Sequence, residues 1–161
     1  MPTPVEQEFE AFYAAHYTRV AGYCWRLVGD REQAHDLAQE SFARMVARWR
    51  RIEDPPSYLY RVATNLVRRA WRERDDRRLV DDAVAAALVE ELPGPDATTV
   101  GLHSAVAALP RRLREVVMLH YFADLSVADV AAAIGRPPGT VKRQLSEART
   151  ALAGALEGSR D

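Results

Sequence analysis

The chain has 161 residues, of which 48% are hydrophobic and 28% charged, and its formal net charge at pH 7 is -1. This length allows one domain or two small ones, and the hydrophobic content is that of a globular protein. No stretch approaches the roughly 20 apolar residues that span a bilayer, and residues 1–8 lack the basic start and apolar run of a signal peptide. We therefore expect a cytoplasmic protein. The single cysteine, Cys24, excludes an internal disulfide and a multi-cysteine metal site.

Charge is distributed unevenly along the chain. Between Arg44 and Arg78 there are eleven arginines and five acids, whereas Leu79 to Thr99 holds five acids and no basic residue. Such segregation creates local fields that the net charge hides. Of the 22 basic residues only Lys142 is a lysine. Guanidinium groups suit bidentate contacts with phosphates and bases, although a GC-rich genome would equally favour arginine codons.

Helical periodicity dominates the first 78 residues. A first helix is predicted over about residues 5–28, ended by Gly29-Asp30, and a second from about Arg31 to Trp49. Prolines at 55 and 56 interrupt the chain, after which Ser57 is expected to cap a third helix. These helices predict an N-terminal domain over residues 1–78. The side chains expected to face inward from the second helix are Ala38, Phe42, Met45, Val46 and Trp49.

The rest of the chain predicts a linker and a second helical domain. Residues 79–98 are expected to form a mobile acidic linker, because Pro93-Gly94-Pro95 would break a helix there. Residues 99–161 then hold a second set of helices, and no segment has the period-two alternation of a strand. The predicted fold class is therefore all-α, with two small helical domains.

Three helices are expected near the end of the chain. The first has Pro110 in its first turn and runs to about Phe122, with Tyr121 on its inner face. Ser126 is expected to cap a short helix that ends at Ile134. A turn containing two glycines then leads to a last helix, predicted over residues 140–156.

The short helix, the turn and the last helix together have the helix-turn-helix pattern. Val141, Leu145 and Ala148 are expected to seat the last helix on the core. Its polar residues would face solvent or DNA, and its first turn could hold a phosphate. An ordinary helical hairpin with a solvated basic face is the alternative interpretation of this pattern. The candidate DNA-binding residues here are Thr140, Lys142, Arg143 and Ser146.

The third helix carries an independent signal. Opposite its apolar stripe lies a face of arginines and one asparagine, with Tyr58 near its start and Trp71 near its end. Arginines along a track with aromatic rings fit an opened strand, whose bases can stack or be flipped out. A solvated charged face with aromatic side chains in the core is the alternative. The members of this face are Arg61, Asn65, Arg68, Arg69 and Arg72.

No pattern indicates catalysis. The four histidines (16, 35, 103 and 120) are scattered without metal-ligand spacing, and there is no glycine-rich phosphate loop. We predict no catalytic residue, no metal and no cofactor, and we do not expect an enzyme.

Four segments, in order along the chain, carry a resemblance to a known family. They are 36–42, 56–66, 109–117 and 139–149. The first two resemble the D-L-x-Q-E-x-F and P-x-x-W-L-x-R-I-A-x-N signatures of sigma region two. The last two resemble the L-P-x-x-x-R-x-V opening and the G-T-V-K-x-x-L-x-x-A-R recognition helix of sigma region four. The chain is thus similar to bacterial RNA polymerase sigma factors of the sigma-70 family, extracytoplasmic-function (ECF) type.

This resemblance implies core RNA polymerase and promoter DNA as partners. Asp36, Gln39 and Glu40 would dock on the clamp helices of the polymerase β′ subunit. The C-terminal helix-turn-helix would read the minus-thirty-five duplex and touch the β flap. The minus-ten strand would be held by the loop at 51–56 and the third helix, through Arg51, Tyr58, Arg61, Asn65, Arg68 and Arg72.

The sequence departs from the family pattern at several positions. Tyr58 stands where tryptophan is usual, Arg69 where an acid is frequent, and Gln144 and Glu147 replace residues that are commonly basic. Glu147 either accepts a hydrogen bond from a cytosine amino group or sits away from the DNA. The promoter sequence, the inducing signal and the existence of an anti-sigma factor are left open.

Two other classes of function compete with a sigma factor. One is a helix-turn-helix regulator that binds operators without polymerase, against which the segment 36–42 argues. The other is a protein that docks on polymerase but has lost promoter readout, against which Arg61, Asn65 and Lys142 argue.

Overall fold

The computed structural model describes residues 1–74 and 97–158. In the N-terminal half (residues 1–74), helix α1 spans Pro4–Val28, α2 spans Arg31–Val46 and α3 spans Pro55–Arg74. A 3-10 turn, Trp49–Arg51, lies between α2 and α3. The described residues contain no strand, and the predicted all-α class is confirmed.

The C-terminal half (residues 97–158) holds four helices. They are α4 (Ala97–Ala108), α5 (Arg111–Val117), α6 (Val127–Ile134) and α7 (Pro138–Gly158), and a π-helical turn, Met118–Phe122, extends α5. Most of the predicted linker at 79–98 lies outside the described residues, although its last two residues already belong to α4.

Local capping chemistry defines where the N-terminal helices begin and end. The Thr3 hydroxyl accepts a hydrogen bond from the Glu6 backbone N–H (3.2 Å), and the Glu6 carboxylate accepts one from the Thr3 N–H (2.6 Å), which forms a capping box at the start of α1. Gly29 ends α1 in the left-handed conformation (φ 75°), which glycine adopts without strain. Asp30 then caps α2 by accepting from the Gln33 N–H at 2.9 Å.

Three details of the helix assignment were predicted wrongly. The cap before α3 is Asp54, whose carboxylate accepts from the Ser57 N–H at 3.3 Å, because the two prolines fit the first helical turn. Val46 ends α2 and is 53% exposed instead of facing inward. Tyr121 is 51% exposed, because the π-helical turn shifts the helical faces out of register.

The two halves share one continuous cluster of buried apolar side chains. Helix α3 contacts α1 and α2 of its own half and also α6 of the other half. No described helix has the length and apolar character required to cross a membrane. The largest fully buried side chains include Tyr23, Leu27, Met45, Leu59 and Leu119.

Candidate nucleic-acid interface

Helices α6 and α7 form the predicted helix-turn-helix. Ser126 caps α6 by accepting from the Asp129 N–H at 3.1 Å, and Gly135 ends it in the left-handed conformation (φ 67°). The Arg136 guanidinium holds the turn, since it donates to the Arg112 carbonyl (3.1 Å) and to the Gln144 side-chain oxygen (2.9 Å). The turn is therefore fixed against both α5 and α7.

One side of α7 is buried and the other is free for contacts, as the sequence predicts. Val141, Leu145 and Ala148 are at most 2% exposed. The polar side chains of the opposite side form what we call the α7 face: Thr140, Lys142, Arg143 and Ser146. The last three of these are exposed, and Thr140 is half-buried in the first turn. This side of α7 is therefore open to solvent.

Glu147, the unusual acid on α7, is paired within the protein. Both of its carboxylate oxygens accept hydrogen bonds from Arg112, at 2.7 and 3.0 Å. These hydrogen bonds lower the pKa of the Glu147 carboxyl. Glu147 is thus an ionised carboxylate with a guanidinium partner, and both roles that the sequence left open for it remain predictions.

The exposed side of α3 carries the predicted basic track. Arg61, Asn65 and Arg72 are exposed, while Leu59, Leu66 and Ala70 are buried on the opposite side. Arg69 lies 3.5 Å from Glu73 one turn along the helix, an exposed pair that contributes little to stability. We call Arg61, Asn65, Arg68 and Arg72 the α3 face.

Arg68 differs from its neighbours on the α3 face because it bonds to the other half of the protein. Its Nε and Nη2 atoms donate to the two carboxylate oxygens of Glu115 at 2.7 and 2.9 Å, and its Nη1 donates to the Ile134 carbonyl at 3.0 Å. Glu115 also accepts from Arg136 at 3.1 Å, and its side chain is only 3% exposed. The hydrogen bonds that the Arg68 guanidinium donates to Glu115 raise the pKa of Arg68. For Arg136, burial lowers the pKa, and the positive charges of Arg68 and Arg112 act in the same direction.

A cavity of about 420 Å³ lies beside the loop between α2 and α3. Arg51, Tyr58 and Arg61, three of the predicted strand-binding residues, line it together. Asp129 and Ala132 of α6 line the same cavity. The loop that was predicted to hold bases is therefore next to the first helix of the helix-turn-helix.

The predicted docking residues lie together on the exposed side of α2, and we call them the α2 face: Asp36, Gln39 and Glu40. All three are exposed, whereas Leu37, Ala38 and Phe42 are buried on the opposite side. The Gln39 amide donates to the Tyr13 hydroxyl at 2.8 Å, and Glu40 accepts from Arg44 at 2.7 Å. These bonds leave the Asp36 carboxylate accessible.

Sequence reasoning missed three residues around the α3 face: Asp129, Glu115 and Arg136. The sequence offered one signal that Glu115 is buried. Glu115 lies four residues before the buried Leu119, so the two residues share one side of the helix. Among the described residues, no group of three or more His, Cys, Asp or Glu side chains is arranged to hold a metal ion.

An all-helical chain with a helix-turn-helix and a second arginine-bearing face belongs to the class of nucleic-acid-binding proteins. The family description "Sigma-70 region 2" matches residues 12–77, and "Sigma-70, region 4" matches residues 100–152. The chain therefore belongs to the sigma-70 family of RNA polymerase sigma factors, of the ECF type, and its function is promoter-specific transcription initiation with core polymerase.

Curated relatives support this membership over most of the chain. The chain is 30% identical to the RNA polymerase sigma-E factor of Streptomyces coelicolor over 148 residues, which cover 90% of this chain and 84% of that protein. It is 34% identical to the sigma-E factor of Streptomyces antibioticus, covering 81% and 74% of the two chains. It is also 30% identical to the ECF sigma factor SigL of Mycobacterium tuberculosis, covering 88% and 85%.

Solved structures show the same fold. The sigma factor RpoE of Bartonella quintana, crystallised with the anti-sigma factor NepR, superimposes with a TM-score of 0.73 at 18% identity, covering 94% of this chain and 98% of that one. CnrH in complex with the cytosolic domain of CnrY gives a TM-score of 0.68 at 20% identity, covering 94% and 89%.

Proposed function

We propose that this sigma factor divides its work among the three faces on α2, α3 and α7. The observation that carries the proposal is the separation of charge: an exposed carboxylate and amide face on α2, and exposed cationic faces on α3 and α7. Residues 1–78 would act as the region 2 domain and residues 99–161 as the region 4 domain. The protein would work as an initiation factor without a covalent reaction of its own.

The α2 face is proposed to dock on the β′ clamp helices of core polymerase. Its three members are spaced by three and one residues, so they project from one side of the helix. An exposed carboxylate such as Asp36 attracts a basic partner surface, and docking through exposed groups does not disturb the core beneath. Gln39 and Glu40 would add directional hydrogen bonds.

The α3 face and the loop cavity are proposed to hold the opened minus-ten strand. Exposed guanidinium and amide groups at Arg61, Asn65 and Arg72 can contact phosphates and base edges. Tyr58 and Arg51 line the same loop cavity, where an unstacked base could stack on the tyrosine ring. Binding the unpaired product lowers the free energy of strand opening.

The α7 face is proposed to read the minus-thirty-five duplex. Lys142, Arg143 and Ser146 are exposed on a helix whose first turn also presents Thr140 and backbone N–H groups. Helices of this kind enter the major groove by their N-terminal part, with phosphate contacts that fix their position. The family resemblance adds a contact between this half and the β flap.

We further propose the cytoplasm as the place of action, because core polymerase and promoter DNA are there. An anti-sigma factor is proposed as a third partner, by analogy with the two complexes that share this fold. An extract of the source cells should contain a protein that binds this sigma factor and reversibly inhibits the transcription that the sigma factor directs.

The function is tested by reconstitution. The purified chain is mixed with sigma-free core polymerase and a library of promoter fragments, and transcripts are sequenced. We expect transcripts that begin at a defined set of fragments and require both proteins. Tight operator binding by the chain alone, without transcripts, would instead indicate a stand-alone regulator. Stable docking on polymerase without transcripts would indicate a protein that has lost promoter readout.

A further inference from the structure

Glu147 borders the α7 face, and its carboxylate is only partly covered. It follows Arg143 by four residues, so the two side chains lie one turn apart on the same side of the helix. The Glu147 side chain is 47% exposed although both of its oxygens accept hydrogen bonds from Arg112, at 2.7 and 3.0 Å. A carboxylate has about four acceptor sites, and this pairing uses one on each oxygen. Glu147 can therefore accept a further hydrogen bond from a group that approaches from outside.

The second unusual residue of α7, Gln144, is not available in this way. Its side chain is 8% exposed, and its oxygen accepts a hydrogen bond from Arg136 at 2.9 Å. Because Arg136 also donates to the Arg112 carbonyl at 3.1 Å, Gln144 is tied to the turn of the helix-turn-helix. Of the two residues of α7 that depart from the family pattern, Glu147 is thus the one at the surface.

Arg112 fixes the Glu147 carboxylate and balances its charge. The two parallel hydrogen bonds have the bidentate geometry that gives arginine and carboxylate pairs their orientational specificity. A lone carboxylate at a DNA-facing surface would be repelled by the phosphates, whereas a neutral pair can approach the duplex without that repulsion. Both side chains are about half exposed, so the pair adds little to stability. What the pairing supplies is an acceptor of fixed position beside the α7 face.

We propose that the Arg112–Glu147 pair selects a cytosine in the minus-thirty-five duplex. The inference rests on the proposed role of the α7 face as the reader of that duplex. In the major groove, cytosine presents an N4 amino donor, whereas guanine and thymine present acceptors that repel a carboxylate. The adenine amino group lies beside the acceptor N7, which a carboxylate does not match. Glu147 accepts the hydrogen bond from the base, and Arg112 is the residue that positions it.

The first measurement is the base preference of the holoenzyme. Core polymerase with the full chain selects from promoter fragments randomised over the minus-thirty-five region, and the bound fragments are sequenced. The unchanged chain should favour cytosine at one position by roughly fivefold or more, the lower end of the range for a base contact. Glu147→Ala should abolish this preference and leave the other positions as they were. Glu147→Gln should shift it toward adenine, because an amide matches the N6 and N7 groups of adenine.

The matched control for these variants is Glu157→Gln. It makes the same change in charge at another exposed position of α7, which lies about 15 Å further along the helix at 1.5 Å per residue. Glu157→Gln should leave the base preference at every position unchanged.

The second measurement tests the positioning role of Arg112. Arg112→Lys keeps the positive charge but loses the bidentate geometry, so it should reduce the cytosine preference and retain most of the overall affinity. Arg112→Ala should also weaken binding to every fragment, because the carboxylate is then unbalanced. The exchange of Arg112→Glu with Glu147→Arg should change the preferred base to guanine, the usual partner of arginine. Both positions are exposed, so circular dichroism should not change.

The third measurement changes the DNA instead of the protein. N4-methylcytosine still pairs with guanine, but its methyl group replaces the N–H that faces the major groove. Placed at the selected position, it should weaken binding of the holoenzyme with the unchanged chain by roughly fivefold or more. It should have little effect on the holoenzyme with Glu147→Ala, which has no acceptor left to lose.

The outcomes separate this inference from the function on which it rests. Unchanged preferences in Glu147→Ala and Glu147→Gln, with duplex binding still weakened by Arg143→Ala, would overturn the cytosine contact and leave the α7 face as the reader. If the unchanged chain had no base preference in the upstream duplex, the proposed role of the α7 face would fail and the cytosine contact with it. A uniform gain in affinity for all fragments in Glu147→Gln would show that the carboxylate only repels phosphates, and the proposal would be wrong. A preference for another base at the position that Glu147 controls would equally overturn it.

Discussion

The α3 face and the α7 face are both cationic sides of amphipathic helices, but their surroundings differ. The α7 face has three exposed polar side chains, and the nearby acid Glu147 is occupied by Arg112. On the α3 face, Arg68 is bound to a buried carboxylate of the other half, and the adjoining loop cavity is lined by α6. One face is ready for a ligand, whereas the other is partly used to hold the fold together.

This difference matches the order in which the two proposed ligands become available. Duplex DNA is present from the first encounter, so a duplex-reading face has no need of a prior rearrangement. An unpaired strand exists only after the duplex has been bound and opened. A strand-binding face with one arginine engaged inside the free protein would therefore lose nothing during the search for duplex DNA.

The largest expected effect comes from preventing docking on core polymerase, because the proposed functions of the α3 face and the α7 face both depend on it. The double charge reversal Asp36→Arg with Glu40→Arg should abolish co-purification with core polymerase, because it makes the α2 face basic. Both positions are exposed, and surface substitutions usually change stability by only about 0.5 kcal/mol, so circular dichroism should not change. The control is Glu8→Arg with Glu10→Arg, the same change in charge on exposed positions of α1. Stoichiometric co-purification of the α2 variant would show that docking lies elsewhere.

The second prediction concerns whether the two halves unfold together in one cooperative transition. All three tryptophans (25, 49 and 71) lie in the N-terminal half, so their fluorescence reports on that half, while circular dichroism reports on every helix. Leu145 is 2% exposed in the C-terminal core, and Leu145→Ala should lower the free energy of unfolding by about 2–5 kcal/mol. Because the apolar cluster is continuous, urea unfolding followed by tryptophan fluorescence should shift with it.

The matched variant for this test is Leu59→Ala, which removes an equally buried side chain from α3. In both variants the fluorescence and circular dichroism midpoints should coincide. A Leu145→Ala protein that loses helical signal early while its tryptophan transition stays in place would mean that the halves unfold independently. The contact between them would then be weaker than the buried Glu115 network suggests.

The third prediction assigns the α3 face and the α7 face to two different steps of initiation. Asn65→Ala should impair open-complex formation and leave initial promoter association largely intact, whereas Arg143→Ala should weaken the closed complex with duplex. A base-specific contact contributes about 1–3 kcal/mol, so each defect should be roughly tenfold or more. A template with a premelted bubble at the minus-ten region should at least partly rescue Asn65→Ala and should give Arg143→Ala no selective benefit. If the bubble affected both variants equally, the faces would not divide the work.

Local features of this fold could be read from the sequence with small errors. The first helix was expected over 5–28 and spans Pro4–Val28, because helical periodicity and a glycine stop are local properties. The family and the all-α class followed from motifs that are also local. The errors at Val46 and Tyr121 arose where α2 ended early, before a 3-10 turn, and where a π-helical turn shifted the register.

The contacts between the halves could not be predicted in the same way. Arg68 and Glu115 are 47 residues apart, and the sequence pattern of an arginine face is the same whether it faces water, DNA or a carboxylate. Deciding among these partners requires knowing which surfaces meet, and that depends on packing over the whole chain. The same reason explains why the position of Asp129 at the loop cavity carries no sequence signal.

The smallest expected effect concerns Cys24, and it distinguishes separation of the halves from loss of the N-terminal fold. Its side chain is 0% exposed, and burial raises the pKa of the thiol to about 12 from an ordinary value of 9.0. At about pH 8 the folded protein should not react with Ellman's reagent, whereas the urea-unfolded chain should react completely. Glu115→Gln should be as protected as the unchanged chain, because losing the bonds of Glu115 to Arg68 and Arg136 leaves α1, α2 and α3 packed together. Rapid reaction in that variant would mean that the N-terminal half has lost its packing.

The same thiol contributes a small dependence of stability on pH. Below pH 9.0 the thiol is protonated in both states, so its contribution to stability is fully present. Between 9.0 and about 12 the unfolded chain releases the proton and the folded chain keeps it, so stability falls as pH rises. The slope from one such group is at most about 1.4 kcal/mol per pH unit. Buried tyrosines also titrate in this range, since burial raises the pKa of Tyr60 to about 12. The contribution of Cys24 is therefore the difference between the unchanged chain and Cys24→Ala. Urea midpoints measured across this range should fall less steeply in Cys24→Ala than in the unchanged chain, and parallel slopes would show that the thiol is not held in a protonated, buried state.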